Sequence, residues 1–395
     1  MLPESKSIYT DNLISYVYIN SMRKSFQYRL YPTKQQRRVL ANHLEACRRL
    51  YNTLLCDRVQ SYENRGESLS LYDQHRKIPF LKTDWPPLAC VHSQVLQNVA
   101  VRVDLAFQAF FRRVKAGAPP GFPRYKGEGR YDSITYPQDQ GFALKAGRLR
   151  LGKIGLVKVC QHRLLEGQPK TCTVRRTATG KWYASIICEV EPPSLPPSTE
   201  AIGLDVGLEK FATLSSGEQI VNPRFFRKEE DELAKAQRKL TTAEKGTPQR
   251  AKVRKRVARV HERIRFKRHD FAHQLARRLV AHYGLIAVED LTINGMVHNH
   301  CLAKSIHDAA WSQFRQCLSY KAEEAGRTLV AVNPAYTSQD CSQCGHRQRK
   351  TLSERVHLCP CCGVVMDRDE NAACNILRLG LQSRVSADQE AVGFS

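Results

Sequence analysis

The chain has 395 residues, with 62 Lys or Arg against 38 Asp or Glu, which gives a formal net charge of +24. A cationic excess of this size indicates a polyanionic partner, most simply nucleic acid, with an anionic membrane surface as the second choice. No apolar run approaches the roughly 18 residues that a membrane span needs, which excludes a transmembrane protein. The length suggests two or three domains.

The first half of the chain alternates strand and helix patterns. Residues 24–31 alternate in polarity like a strand, and Thr33 is a candidate N-cap for a helix over 34–62. After a polar loop, residues 91–115 form a second strong helix pattern. Strand patterns return over 131–190 and end in a clear hairpin. This order predicts a helical insert within a β domain.

A proline-rich segment at 191–200 is the best domain boundary, and the pattern beyond it is α/β. AIGLDVG and KFATLSS predict a strand pair, followed by long charged helices over 226–282. GLIAVEDL predicts a buried strand, residues 304–325 a helix, and RTLVAVNP another strand. A cysteine cluster and a helix from about Asp369 to Leu379 follow.

Five of the 14 cysteines lie between Cys341 and Cys362, whereas a secreted disulfide scaffold would spread them more evenly. Two C-x-x-C-G knuckles separated by 14 residues suit a tetrahedral zinc ion. The predicted ligands are Cys341, Cys344, Cys359 and Cys362. Cys361 is not expected to bind, and His346 and His357 are alternative ligands that are not needed. The site has no open position, so the zinc is structural; a coincidental cluster or a redox pair is the alternative.

Four acidic residues are candidates for chemistry. Asp205 and Glu289 each end an apolar strand pattern, while Asp367 and Asp369 enter a helix. If these carboxylates converge at one sheet edge, they suit phosphodiester hydrolysis with two Mg²⁺ ions. The alternative is structural: Asp367 caps its helix, and the other acids are turn residues.

Residues 250–270 hold ten Lys or Arg and only two acids, too few for self-pairing, so this helix is predicted to contact a nucleic-acid backbone. Arg112, Arg113 and Lys115 add a second basic region near GFPRYKG. Ser93, Gln94 and Gln97 could read base edges or be ordinary surface residues. The candidate nucleic-acid contacts are Arg48, Arg49, Ser93, Gln94, Gln97, Arg124, Lys126, Arg254, Lys255, Arg256, Arg263, Lys267 and Arg268.

Together these segments resemble the TnpB family, the RNA-guided DNA endonucleases carried by insertion-sequence transposons and related to type V CRISPR nucleases. The resemblance spans about residues 23–380 in the expected order. The matching segments are FQYRLYPTKQQRRVLANHLEACRRLYN, GFPRYKG, TVRRTATGKWYASI, IGLDVGLEKFATLSSG, AVEDLTINGM, SIHDAAWSQFRQCLSYKAEEAGR, the two cysteine knuckles and DRDENAACNIL.

The resemblance implies a multidomain α+β fold. A wedge-like β-barrel carries a helical recognition lobe as an insert, and a RuvC-like α/β nuclease domain of the ribonuclease H fold carries the Cys₄ zinc ribbon. The implied boundaries are 23–32 and 116–197 for the wedge, 33–115 for the lobe, 198–335 and 364–380 for the nuclease, and 336–363 for the ribbon. Residues 1–22 are an extension or a mis-assigned start, and 381–395 are a tail.

The resemblance also assigns catalysis to Asp205, Glu289 and Asp369, as ligands of two Mg²⁺ ions; spacing does not separate Asp367 from Asp369. It implies a metal-dependent DNA endonuclease that cuts target DNA beside a short adjacent motif. The implied partners are a guide RNA from the transposon end and double-stranded target DNA, with no membrane, in a prokaryotic cytoplasm. The alternatives are a transposase-associated protein acting in DNA transposition or recombination, or a guide-dependent repressor that does not cut.

Overall fold

The computed structural model describes residues 22–191, 195–292, 295–296, 298, 300–351 and 354–392. The chain divides into two compact units. One unit contains the described residues up to Arg175 together with 183–191, and the other contains 176–182 together with those from 195 onward. The domain boundaries implied by the family resemblance stay predictions.

The first unit is built on a seven-stranded half-barrel sheet with the strand order β2-β6-β7-β1-β5-β4-β3. Its strands alternate buried and exposed side chains, as expected for a sheet with one face in the core. The strands are β1 (Met22–Tyr31), β2 (Ser133–Tyr136), β3 (Phe142–Lys145), β4 (Arg148–Leu151), β5 (Gly155–Cys160), β6 (Gln168–Arg176) and β7 (Trp182–Val190).

Three helices lie between β1 and β2 in the chain: α1 (Lys34–Arg65), α2 (Leu71–Asp84) and α3 (Ser93–Lys115). The predicted cap is present, because the Thr33 side chain accepts a hydrogen bond from the Gln36 backbone and the Gln36 side chain accepts one from Thr33. Helix α2 lies where the sequence indicated only a polar loop. Pro79 in its interior and its few buried residues hide the helical pattern, whereas a second capping box at Ser70 starts it.

The second unit contains a five-stranded sheet with the order β10-β9-β8-β11-β12. Strand β11 runs parallel to both β8 and β12, while β9 runs antiparallel to β8 and β10. The strands are β8 (Ala201–Val206), β9 (Lys210–Leu214), β10 (Gln219–Val221), β11 (Leu285–Glu289) and β12 (Thr328–Val332). Strand β10 was not predicted, and its three residues are too short to show alternation.

Helices of the second unit complete its core. They are α4 (Phe225–Thr242), α5 (Pro248–His282), α6 (His300–Ala309), α7 (Trp311–Glu324) and α8 (Arg368–Val392), and a small hairpin pairs β13 (Val356–Leu358) with β14 (Val365–Asp367). The predicted helix over 304–325 is broken at Ala310, which adopts a left-handed backbone. A core cluster joins the sheet to α5 and α7 through Phe211, Leu279 and Phe314. The remaining face of β11 packs on Ile376 of α8.

Candidate active site and metal centre

The first two candidate acids lie at the same edge of the five-stranded sheet. Strands β8 and β11 are parallel neighbours, paired in register up to Leu204 and Val288. Asp205 and Glu289 are the next residue of each strand. Adjacent strands lie about 4.8 Å apart, so the register alone brings these two acids to neighbouring positions at the carboxyl ends of the strands.

Asp369 reaches this edge on helix α8, which approaches β8 unusually closely. A Cβ atom added at Gly203 would lie 2.1 Å from the carbonyl oxygen of Ala373 and 2.7 Å from the backbone nitrogen of Leu377. Only glycine permits this approach, because no side-chain atom separates the two backbones. Asp369 lies one helical turn before Ala373, and its charge acts on Asp205.

The charges of the other two acids act on Asp205, and the Arg368 guanidinium partly opposes them. Burial raises the pKa of Asp205 well above its ordinary value, and the negative charges of Glu289 and Asp369 raise it further. Burial also raises the pKa of Glu289, while a 2.6 Å hydrogen bond donated by the Thr337 hydroxyl opposes that rise. Such mutual repulsion in a partly desolvated cluster is the condition that a bound cation relieves.

Asp367 has a different role from Asp369. Its carboxylate accepts hydrogen bonds from the backbone nitrogens of Asp369, at 2.8 Å, and Glu370, at 3.3 Å, so it caps helix α8. It also lies 3.3 Å from the ammonium of Lys210. Burial raises the pKa of Asp367, but these hydrogen bonds and the lysine outweigh burial and leave it below its ordinary value. The capping alternative therefore describes Asp367.

Two buried asparagines of α8 were missed by the sequence analysis. The Asn375 side chain donates to the carbonyl oxygens of Thr337, at 2.9 Å, and Asp340, at 2.7 Å. The Asn371 side chain donates to the Asp340 carbonyl and accepts from the Ser342 nitrogen. They tie the segment that carries Thr337 to the helix that carries Asp369. The sequence feature that could have revealed them is their spacing of four residues, which places two asparagines on an otherwise apolar helix face.

Four cysteines form a cluster that could hold a metal ion. The sulfur atoms of Cys341, Cys344, Cys359 and Cys362 all lie within 4.8 Å of one another. Within the described residues, this is the one group of at least three Cys, His, Asp or Glu side chains whose ligand atoms all lie this close together. The carboxylates of Asp205, Glu289 and Asp369 do not all lie within that distance of one another. Four thiols at these distances suit tetrahedral zinc, and Cys361, as predicted, lies outside the cluster and is exposed.

The local backbone explains the cluster. Gly345 and Gly363, one after each cysteine pair, have φ of 76° and 74°, the left-handed conformation that each knuckle turn requires. Backbone N–H groups of Cys362 and Cys361 lower the pKa of the Cys359 thiol to about 6, whereas at Cys362 burial and the neighbouring thiols outweigh a backbone hydrogen bond and raise the pKa to about 12. The close sulfur atoms therefore favour one thiolate, at Cys359. The second knuckle lies between β13 and β14, and β14 leads directly into α8 and Asp369.

Three cations in the C-terminal half of the basic segment pair with acids of neighbouring helices. Arg263 and Lys267 each lie 2.8 Å from Glu229 of α4, and Arg268 lies 2.9 Å from Asp308 of α6. The prediction that these charges lack acidic partners is therefore wrong for Arg263, Lys267 and Arg268, because their partners lie outside the segment. In the N-terminal half, Arg254, Lys255 and Arg256 are exposed.

The candidates of the first unit divide into inward and outward side chains. Arg48 points inward: it donates to Glu45 and to the Lys126 carbonyl. Ser93 accepts from Lys82, and Gln94 donates to Gln138. The side chains of Arg49, Gln97 and Arg124 are exposed, and the Lys126 ammonium lies over the Tyr51 ring. The nucleic-acid contacts therefore stay predictions, with the outward residues better placed for them.

Every helix in the described part of the chain is too short or too polar to cross a membrane.

Three family models match the chain in separate segments. A helix-turn-helix domain matches residues 22–67, a probable transposase family (OrfB_IS605) matches 185–300, and the TNB domain of Cas12f1-like proteins matches 311–376. The last segment contains the four cysteines and Asp369.

Relatives match over nearly the whole length. A Streptomyces pristinaespiralis protein named "Putative RNA-guided DNA endonuclease" is 34% identical over 94% of this chain and 92% of its own. "Putative RNA-guided DNA endonuclease InsQ" of Escherichia coli is 30% identical over 90% of this chain and 92% of its own. A protein chain from a structure described as a Cas12f1–sgRNA–target DNA complex has a TM-score of 0.57 at 13% identity, covering 90% of this chain and 99% of that one, which shows a shared fold. The chain belongs to the TnpB family.

Proposed function

We propose that this chain is an RNA-guided DNA endonuclease that cuts target DNA at Asp205, Glu289 and Asp369. The observation that carries the proposal is the approach of these three acids to one edge of the sheet, where the charges of Glu289 and Asp369 raise the pKa of Asp205. Membership of the TnpB family and the names of its relatives supply the substrate class.

The nuclease unit is proposed to be RuvC-like, of the ribonuclease H fold. Its sheet supports this assignment, because three strands (β8, β11 and β12) are parallel and β9 and β10 extend the sheet as an antiparallel meander beyond β8. In parallel strands the carboxyl ends form the edge where functional groups gather. Asp205 and Glu289 both lie at that edge.

Asp205, Glu289 and Asp369 are the residues proposed to hold two Mg²⁺ ions, since clustered carboxylates are the ligands that this cation prefers. Bound there, the ions would activate a water molecule and stabilise the leaving oxygen of the phosphodiester. Thr337 is proposed to orient Glu289 through its 2.6 Å hydrogen bond, and Lys210 to keep Asp367 in its capping position. The four cysteines are proposed to hold a zinc ion, which would be structural because four thiolates would leave no open coordination position.

The remaining surfaces are proposed to hold the guide RNA and the target duplex. The net charge of +24 suits two polyanions, and phosphate contacts give position without reading sequence. The exposed cations Arg254, Lys255 and Arg256 are the best placed on α5. Pairing between guide and target would then carry the sequence specificity.

The test uses the full chain purified with its co-expressed transposon-end RNA. Asp205→Asn is expected to lower the rate of guide-dependent cleavage by about a thousandfold, because several kcal/mol of charge stabilisation are lost and each 1.4 kcal/mol is tenfold. RNA binding should persist. Glu209→Gln, which removes an exposed carboxylate four residues away, is the matched control and should cut normally.

Cleavage by Asp205→Asn at the unchanged rate would refute the assigned site. The transposase alternative predicts a different product: joined DNA ends formed without any dependence on guide complementarity. Analysis of the same reactions on denaturing gels separates hydrolysed strands from joined ones. A chain that binds the guide and the target but leaves both strands intact would instead indicate the repressor.

A further inference from the structure

Four phenylalanines of the first unit form a ring cluster at the end of α3, here called the phenylalanine cluster, in which two rings are exposed and two are half-buried. Phe107, Phe110 and Phe111 lie on the helix, and Phe122 lies in the segment that follows it. The ring centroid of Phe110 lies 5.1 Å from that of Phe111 and 5.3 Å from that of Phe122. The centroids of Phe107 and Phe122 are 5.7 Å apart. The rings therefore make one continuous aromatic surface.

This surface faces outward. The side chains of Phe111 and Phe122 are 60% and 51% exposed, and Val114, one helical turn beyond Phe110, is 51% exposed. Single apolar residues on a protein surface are ordinary, whereas a contiguous aromatic patch costs free energy in water and marks a binding surface.

The cluster is held in place by hydrogen bonds. Arg113 donates to the carbonyl oxygens of Pro120, at 2.6 Å, and Gly121, at 2.8 Å, which folds the following segment back onto the helix. On the inner side, the Arg58 guanidinium lies over the Phe107 ring while it pairs with Asp104. A fixed aromatic surface loses little conformational entropy when it binds a partner.

Cations neighbour the rings in the chain: Arg112 follows Phe111, Lys115 lies one helical turn beyond it, and Arg124 lies two residues after Phe122. Arg112, Lys115 and Arg124 are exposed, and in the described part of the chain none of the three forms an ion pair. A second copy of this chain is a poor occupant, since a symmetric contact would bring these like charges together. Exposed aromatic rings accompanied by unpaired cations are instead a combination with which proteins bind single-stranded nucleic acid.

We propose that the phenylalanine cluster stacks unpaired bases of the guide RNA, while Arg112, Lys115 and Arg124 contact its phosphates. This inference rests on the proposed function, in which the chain binds a guide RNA. Paired strands hide their base faces, whereas RNA loops and ends offer theirs to aromatic side chains. The occupant is therefore an unpaired RNA segment rather than the guide–target duplex.

The test measures binding of the full chain to a fluorescent, unstructured oligouridylate of about 16 nucleotides, the upper site size of one single-strand-binding fold. Phe111→Ala and Phe122→Ala are each expected to bind at least about fivefold more weakly, the smallest loss expected for one unstacked base. Phe111→Tyr and Phe122→Tyr keep the ring and should bind normally, which separates stacking from a folding defect. Phe80→Ala, which removes a 73% exposed ring on α2, is the matched control.

Unchanged binding by both alanine variants would overturn the inference. So would a loss confined to a single-stranded oligothymidylate of the same length, which would identify a DNA strand as the occupant, or a dimer in light scattering that Phe111→Ala dissociates. Failure of this inference differs from failure of the proposed function. If the chain cuts DNA but its alanine variants bind RNA normally, only the inference about the phenylalanine cluster is wrong. If RNA binding depends on the rings but the chain never cuts, only the proposed endonuclease activity is wrong.

Discussion

The two candidate metal sites of the second unit are built in opposite ways. The four cysteines all come from residues 341–362, and two glycine turns bring them together. The three acids come from two strands and a helix that are far apart in the chain, and they depend on strand register and on one close helix contact. The first site is therefore encoded locally in the sequence, whereas the second exists only in the folded unit.

Because of this difference, the two sites depend on different parts of the fold. A knuckle needs only its cysteines and a left-handed glycine, so it tolerates changes elsewhere in the fold. The acids need Gly203 and Asn375, neither of which is expected to touch a metal, whereas Asn371 also holds Ser342 of the first knuckle. Substitutions of Gly203 or Asn375 should therefore damage the carboxylate site and leave the zinc site loaded.

The largest effect is expected from the zinc ligands. Cys359→Ser should reduce bound zinc from one equivalent to less than one tenth and unfold the ribbon, because a structural zinc contributes on the order of 10 kcal/mol to its module. Zinc content by atomic emission and limited proteolysis around residues 336–366 measure this loss. Cys361→Ser is the matched control, since the neighbouring Cys361 is exposed and outside the cluster. Zinc loss in the control would show that the ligand set is wrong.

The next effect tests the close helix contact. Gly203→Ala should lower the free energy of unfolding by about 3 kcal/mol, the upper end of ordinary overpacking, because the new methyl group meets backbone atoms of α8 that cannot rotate away. Urea unfolding measures the change. Zinc content should stay at one equivalent, and guide-dependent cleavage should fall because α8 carries Asp369.

Gly127→Ala is the control for the glycine change, since a Cβ there meets only the Arg130 side chain at 3.8 Å. If Gly203→Ala folds and cuts like the unchanged chain, the close contact does not position Asp369, and the contrast between the two sites is lost.

The sequence could predict the zinc site and most elements, but not the geometry of the acids. The spacing of the cysteines predicts the knuckles, because the cysteines and the glycine turns that bring them together are adjacent in the chain. The strands ending at Asp205 and Glu289 were predictable from apolar runs, yet their register is a property of the sheet. Helix α2 was missed because Pro79 masks its pattern, and the partners of Arg263 and Lys267 lie on another helix.

A smaller effect is expected from the buried asparagines. Asn375→Ala should cost about 1–3 kcal/mol of unfolding free energy, because it leaves the carbonyl oxygens of Thr337 and Asp340 without a donor. Cleavage should weaken as well, since Thr337 holds Glu289. Ser383→Ala on the exposed face of α8 is the control and should change stability by less than about 0.5 kcal/mol. Equal stability of the two variants would contradict the tie between α8 and Thr337.

The smallest effect concerns the pH dependence of stability, and it has opposite signs with and without Mg²⁺. The pKa of Asp205 is raised in the folded chain, so its charged form costs stability at high pH, and that cost disappears as the pH falls through the folded pKa. Asp205→Asn removes the cost. In buffer without added Mg²⁺ the variant should therefore be more stable than the unchanged chain at pH 8, and the advantage should shrink on acidification, by at most about 1.4 kcal/mol per pH unit for one proton.

Added Mg²⁺ should reverse the order, because a cation that binds the carboxylates stabilises the unchanged chain alone. Urea unfolding at several pH values, with and without Mg²⁺, measures both effects. Glu209→Gln should follow the unchanged chain throughout, since its carboxylate is exposed. An Asp205→Asn variant less stable than the unchanged chain in Mg²⁺-free buffer at pH 8 would mean that Asp205 is held by a structural partner. The Asp205 carboxylate would then have a structural role, like that of the helix-capping Asp367, and would not be a metal ligand.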